Sequence, residues 1–176
     1  MAAAELALRR PFTTLALGAS LTLAATSPAT AADSLAIVGA TVIDGTGAAA
    51  LADAVVVVEK GRIRSIGPRS HALLPKGIPY VDGRGLFVVP GRVRDAKAVA
   101  ALRERVARGM AFDRALADAL RAGHLGSPPP TLGPGRPADL AVLEDPRTSL
   151  DHLAAVKRAF VAGREIAPWN VDGTQP

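Results

Sequence analysis

The ten residues Val57-Val58-Glu59-Lys60-Gly61-Arg62-Ile63-Arg64-Ser65-Ile66 decide the fold class. A valine-rich run leads into Lys60-Gly61, and a run that interleaves apolar and charged side chains leads away. β-Branched residues favour strands, and a two-residue connection ending in glycine joins antiparallel neighbours. The stretch predicts a hairpin, with residues 54–59 against 62–66. The second strand is expected to have one buried and one wet face. Gly67-Pro68 is expected to end it.

Further strands lie on both sides. Residues 35–38 are apolar, 41–43 follow after Gly39, and Asp44-Gly45-Thr46-Gly47 reads as a turn. Residues 80–82 and 86–89 read as two more strands around Gly83-Arg84-Gly85, closed by Pro90-Gly91. The period then changes. Val99, Leu102 and Val106 recur at i, i+3 and i+7, which predicts a helix over 95–108 stopped by Gly109. Phe112, Leu116 and Leu120 share one face of a second helix over 112–122. Residues 127–137 are rich in proline and glycine and predict a loop. A strand over 138–143, a helical turn near 149–155 and a last hairpin, 157–161 against 164–166 around Ala162-Gly163, complete the pattern. The tail from Ala167 carries Trp169, which is placed to pack back. The expected class is mainly β with two short helices, α+β.

Composition narrows the function. With 176 residues the expectation is one domain. Aromatics are only 3% of the chain, so the core must be built from small and branched aliphatics. Cysteine is absent, which excludes disulfides, thiolate metal sites and cysteine nucleophiles. The net charge is +5, but the cations are scattered, apart from a cluster over 92–108. They do not form the basic run with interleaved aromatics that marks a nucleic-acid binder, so no nucleic-acid partner is expected. Residues 1–32 have the parts of a secretory signal: Arg9-Arg10, an apolar stretch over 13–25, and Ala29-Thr30-Ala31. Arg9-Arg10-Pro11-Phe12 resembles a twin-arginine signal, and an ordinary signal stays open. The expected location is exported, periplasmic or secreted, with no stable membrane span after cleavage.

Five stretches carry a family resemblance. They are Ile37-Val38-Gly39-Ala40-Thr41-Val42-Ile43-Asp44-Gly45-Thr46-Gly47, Val57–Ile63, Val81-Asp82-Gly83-Arg84-Gly85-Leu86-Phe87-Val88-Val89-Pro90-Gly91, Leu132-Gly133-Pro134-Gly135-Arg136-Pro137-Ala138-Asp139-Leu140-Ala141-Val142-Leu143, and residues 156–166. In this order they resemble the amidohydrolase superfamily, most closely its imidazolonepropionase-like and prolidase-like members. The resemblance implies a composite β-sandwich made from both ends of the chain, beside a (β/α)8 barrel. It also implies metal-dependent hydrolysis of amide and related C–N bonds, with zinc or another divalent ion held in the barrel.

The barrel is what this sequence lacks. Fewer than 50 residues separate Gly91 from Ala138, where a barrel needs roughly 250. After Pro-Gly the family places an aliphatic-Asp-x-His-x-His motif. Here Arg92-Val93-Arg94-Asp95-Ala96-Lys97-Ala98-Val99 stands instead. Asp95 matches the aspartate, neither histidine is present, and Lys97 offers an ammonium donor in place of a ligand. The expected layout is a signal peptide at 1–32, the N-terminal part of the sandwich at 33–91, and a helical linker replacing the barrel at 92–125. A Pro/Gly loop at 126–137, the C-terminal part of the sandwich at 138–166 and a tail at 167–176 follow. An internal deletion or a gene-model artefact would produce this arrangement.

The candidate groups are few. His71, His124 and His152 are the only histidines, and no two are spaced for shared ligation on one element. Asp139 is read as an acceptor of backbone hydrogen bonds that ends the loop. The cations of 92–108 are read as the solvated face of a helix. Gly83-Arg84-Gly85 lacks the setting of a phosphate loop, and no serine sits in a nucleophile elbow. No catalytic, cofactor-binding or metal-ligating residue is assigned, and no cofactor is expected in this chain. The expected function is an inactive remnant of an amidohydrolase. The alternatives are an active C–N hydrolase with unrecognised ligands or a barrel supplied by another chain, and an exported binding or assembly module. Self-association is expected through a sandwich face left uncovered by the barrel.

Overall fold

In a computed structural model, residues 34–91, 96–122 and 129–166 are described. Residues 1–32, read above as a signal, and Arg92, Arg94, Asp95, His124 and Trp169 lie outside the described residues. Among the described residues, eight strands and two helices follow the order expected. β1 is Leu35–Val42, β2 Leu51–Glu59, β3 Arg62–Pro68, β4 Tyr80–Asp82 and β5 Phe87–Pro90. Then come α1 at Ala96–Ala107, α2 at Phe112–Ala122, β6 at Leu140–Leu143, β7 at Arg158–Val161 and β8 at Arg164–Ile166. Short 3-10 turns occupy Arg69–His71 and Leu150–Leu153. The fold is mainly β, α+β.

All the strands belong to one hydrogen-bonded sheet, ordered β3-β2-β1-β5-β6-β7-β8, with β4 also on β1. The strand expected at 35–38 and the one at 41–43 are a single strand. Gly39, at φ 81°, shifts the register against β2 without ending the ladder, as a bulge does. A side chain there would also push Arg84 aside, because a Cβ would lie 2.8 Å from Arg84 Cγ. The two halves of β1 take different parallel neighbours, β4 at Ala36–Val38 and β5 at Thr41–Val42.

The hairpin around Lys60-Gly61 forms as expected, with φ of 51° and 75° at its two turn residues. Positive φ at both is the turn geometry that matches strand twist. β3 departs from simple alternation and from its expected end. Val57 pairs with Ser65 and Val58 with Ile63, so Arg64 is an extra residue. That bulge brings Ile63 and Ile66, three apart in sequence, onto the same core. The strand also runs on through Gly67-Pro68, where Pro68 pairs with Ala54 at the edge, a place where a missing N–H is tolerated.

Two cores share the middle of the sheet. The first holds Leu35, Ile37, Val42, Val56, Val58, Ile63, Val81, Val88, Leu140, Val142 and Phe160. The loop before β6 helps to close it, since Ile63 N–H donates to Arg136 O at 2.9 Å and Gly135 N–H donates to Ile63 O at 2.8 Å. The second core sets Phe87, Val89, Ala141, Leu143 and Ala159 against Leu102, Leu116 and Leu120 of the helices. Every residue of β5 and β6 is therefore buried, as in a strand covered on both faces. Helix α2 buries the Leu116–Leu120 stripe read from the sequence, with Phe112 half-buried beside it. On α1 the fully buried positions are Ala98 and Leu102, while Val99 and Val106 are half-buried.

Candidate functional site

Three places in the fold gather chemistry-bearing side chains. The first is the junction between β5 and β6. β5 and β6 pair antiparallel from Phe87↔Leu143 to Pro90↔Leu140. Beyond them Gly91 N–H donates to Asp139 O at 2.9 Å. The Asp139 side chain accepts from Ala162 N–H at 2.8 Å. Its role as a backbone acceptor is as expected, but the segment it secures is the β7–β8 turn, remote in sequence. Lys97 lies exposed on the first turn of α1.

Sequence reasoning missed Asp113, in the first turn of α2. Its Oδ2 accepts from Ala50 N–H at 3.3 Å, and its Oδ1 is buried without a hydrogen-bond partner. A helix N-terminus stabilises a carboxylate, and the positive charge of Arg147 also acts on this one. The contact ties the β1–β2 connection to α2, and a first-turn acid following Gly109 was the available signal.

The second place surrounds His152. Its Nδ1 lies 2.8 Å from Asp145 O, and its Nε2 lies 3.5 Å from Glu144 Oε2. Glu144 also pairs with Lys157 at 2.8 Å, and hydrogen bonding to that ammonium holds its carboxyl below the usual range. Asp145 receives two bonds from the Arg147 guanidinium, each 2.9 Å, which lowers its pKa in the same way. Arg147 in turn stacks over the Phe87 ring at 4.7 Å. The cluster supplies one imidazole and one half-occupied carboxylate, short of the three protein ligands of a catalytic zinc site. His71 is exposed on its 3-10 turn. Among the described residues, no three His, Asp or Glu side chains are grouped to hold a metal ion.

The third place is the corner between β4 and β5. Arg84 grips Asp82 through Nε at 2.9 Å and Nη2 at 2.6 Å, and this hydrogen bonding lowers the Asp82 pKa to about 2. Arg69 pairs with Asp53 at 2.9 Å nearby. Val38, Arg69, Tyr80, Asp82 and Arg84 line a cleft of about 170 Å³. A second cleft of about 180 Å³ lies between β4 and the β7–β8 hairpin. Both are smaller than the roughly 300–1,000 Å³ of small-molecule sites, so neither has the form of a substrate pocket.

No family model matches the chain, and no curated protein matches it. Solved structures do match. Molinate hydrolase is 34% identical over 33% of this chain and 12% of its own, at a TM-score of 0.32. Phenylurea hydrolase B is 32% identical over 43% of this chain and 18% of its own, also at 0.32. The N-acyl-D-glutamate deacylase of Bordetella bronchiseptica is 25% identical over 40% and 16%, at 0.27. These are hydrolases of the amidohydrolase superfamily. The likeness to amidohydrolases is partial, and the chain spans less than a fifth of the length of the three named.

Proposed function

We propose that this chain is an amidohydrolase-type β-domain that persists without a barrel and does not hydrolyse C–N bonds by itself. The observation that carries this reading is that the chain between β5 and β6 folds back as α1 and α2 onto the sheet in which those two strands pair. Four residues on each side are in register, from Phe87↔Leu143 to Pro90↔Leu140. The chain leaves β5 and re-enters at β6 through two helices, and those helices pack on the same sheet. The barrel's place in the sequence is thus taken by 46 residues, Arg92 to Pro137, within which α1 and α2 pack on the sheet through Leu102, Leu116 and Leu120. The reading extends to the motif residues, where Lys97 stands at a position the family gives to a histidine.

The alternative of a barrel supplied by another chain is less well supported. A partner domain would meet the β5–β7 face already covered by Leu102, Leu116 and Leu120. The remnant origin is a proposal about the gene, and genomic sequence on both sides of the codons for Gly91 and Asp95 tests it. Intact barrel-coding sequence there would assign the gap to the gene model.

The functional test is metal content per chain on purified, desalted protein, followed by a screen of amide, lactam and dipeptide substrates. Folded protein with metal at background and no turnover is the expected result. One or two tightly held zinc ions per chain, with turnover lost on chelation, would overturn the proposal.

A further inference from the structure

Among the described residues, strands β3, β4 and β8 each have an edge without a strand partner. β3 carries exposed Arg62 and Arg64, and β8 carries exposed Arg164 and Glu165. Charge along an edge is the usual protection against pairing with another chain. β4 is different. Val81 points into the first core, while Tyr80 beside it is 76% exposed. The connection that leads into β4 exposes Leu73 and Leu74, at 91% and 50%. Three of the four large hydrophobics exposed among the described residues thus lie on one short stretch.

The backbone of β4 is also ready to pair. Pro79 O accepts from Ala36 N–H at 3.0 Å, and Gly83 N–H donates to Val38 O at 2.8 Å. A strand turns alternate residues toward alternate neighbours. With positions 79, 81 and 83 turned toward β1, the N–H and C=O of Tyr80 and Asp82 lie on the outer edge. Charge there is balanced. Asp82 pairs with Arg84 and Asp53 with Arg69, two carboxylates and two guanidiniums, on a chain that carries +5 overall.

We infer that β4 is a self-association edge, and that two copies of this chain pair antiparallel about a twofold axis through Val81. In that register Tyr80 of one copy faces Asp82 of the other. Each such pair exchanges two N–H···O bonds, and the symmetry repeats it. The Tyr80 ring then lies beside Arg84 of the second copy, whose side chain is 76% exposed and suited to a cation–π contact. An acidic partner would meet Asp53 and Asp82, whereas a second copy brings matched pairs to matched pairs. This refines the expected self-association by moving it from a sheet face, which the helices cover, to an edge. It does not depend on the catalytic reading.

The test uses the absence of native cysteine. Tyr80→Cys and Asp82→Cys are made separately in the full chain, mixed, and oxidised. Facing residues of a hydrogen-bonded antiparallel pair are about 5.5 Å apart, within reach of a disulfide. A cross-linked heterodimer is expected from the mixture, well above the yield from either variant alone or from an Arg64→Cys control. By sedimentation equilibrium the unmodified protein should dimerise with concentration. Tyr80→Lys should raise the dissociation constant at least about tenfold, with unchanged circular dichroism. A monomer at every accessible concentration would overturn the inference. So would a dimer indifferent to Tyr80→Lys, or cross-linking no greater than the control.

Discussion

Lys60 and Ala162 each hold a left-handed backbone, with φ of 51° and 47°, just before a glycine. The two turns touch, because a Cβ on Gly61 would lie 2.7 Å from Ala162 O. Gly61→Ala therefore meets both an unfavourable φ and a backbone collision. It should destabilise by about 2 kcal/mol or more, read from urea denaturation at constant m-value. Lys60→Asn, which tolerates that φ, should be neutral or stabilise by a few tenths of a kcal/mol. If Gly61→Ala proves neutral, the two turns do not meet in solution. Charge acts at the same scale. Hydrogen bonding to Arg84 holds Asp82 at about 2, against an ordinary 3.8. A carboxyl lowered in the folded state contributes stability above its unfolded pKa and loses it as pH falls through the folded one. The window for Asp82 is thus about pH 4 to 2. Asp145 and Glu165, each lowered by hydrogen bonding to an arginine, act in the same direction. The melting temperature should be level near neutral pH and fall on acidification. Asp82→Asn should lower it slightly at pH 7 and flatten part of the acid fall. An identical acid profile in the variant would show that the exposed pair contributes nothing, as many surface pairs do.

At the scale of elements, β-bulges and one helix stripe do most to shape the sheet. The bulge at Arg64 turns Ile66 inward, and the one at Gly39 lets β1 serve β4 and then β5. Helix α2 covers the second core with Leu116 and Leu120, both fully buried. Leu120 also approaches the Asp44–Gly47 turn, since a Cβ on Gly45 would lie 3.1 Å from its Cδ1. Leu120→Ala should cost about 2–5 kcal/mol, measured by thermal or chemical unfolding. Arg103→Ala, on the exposed side of α1 and paired with Asp151 at 3.3 Å, should change stability by less than about 0.5 kcal/mol. Equal effects of the two would mean that the helices do not pack on the sheet.

At the scale of the whole molecule, β5 and β6 give one face to each core, so neither core can open without exposing the other. A single cooperative transition is expected, with calorimetric and van't Hoff enthalpies equal. Two separated transitions would show that the helices and the sheet are independent. The parts and their order were legible in the sequence. Val55–Val58, the Lys60-Gly61 turn and the Leu116–Leu120 spacing each specify a local conformation through β-branching, permissive φ or helical period. Mainly-β α+β architecture follows from them, and so does the likeness to amidohydrolases, because its motifs are turns and strand ends. What needed the tertiary structure was pairing at a distance. The register of β5 on β6, the closure of β3 by the 135–137 loop, and the anchoring of the β7–β8 turn by Asp139 join residues far apart in sequence. The Arg64 bulge was equally hidden, since an extra residue is defined only against a partner strand. Local residues set the dihedral preferences; the choice of partner depends on which apolar faces can be buried together, and that is a property of the assembled chain.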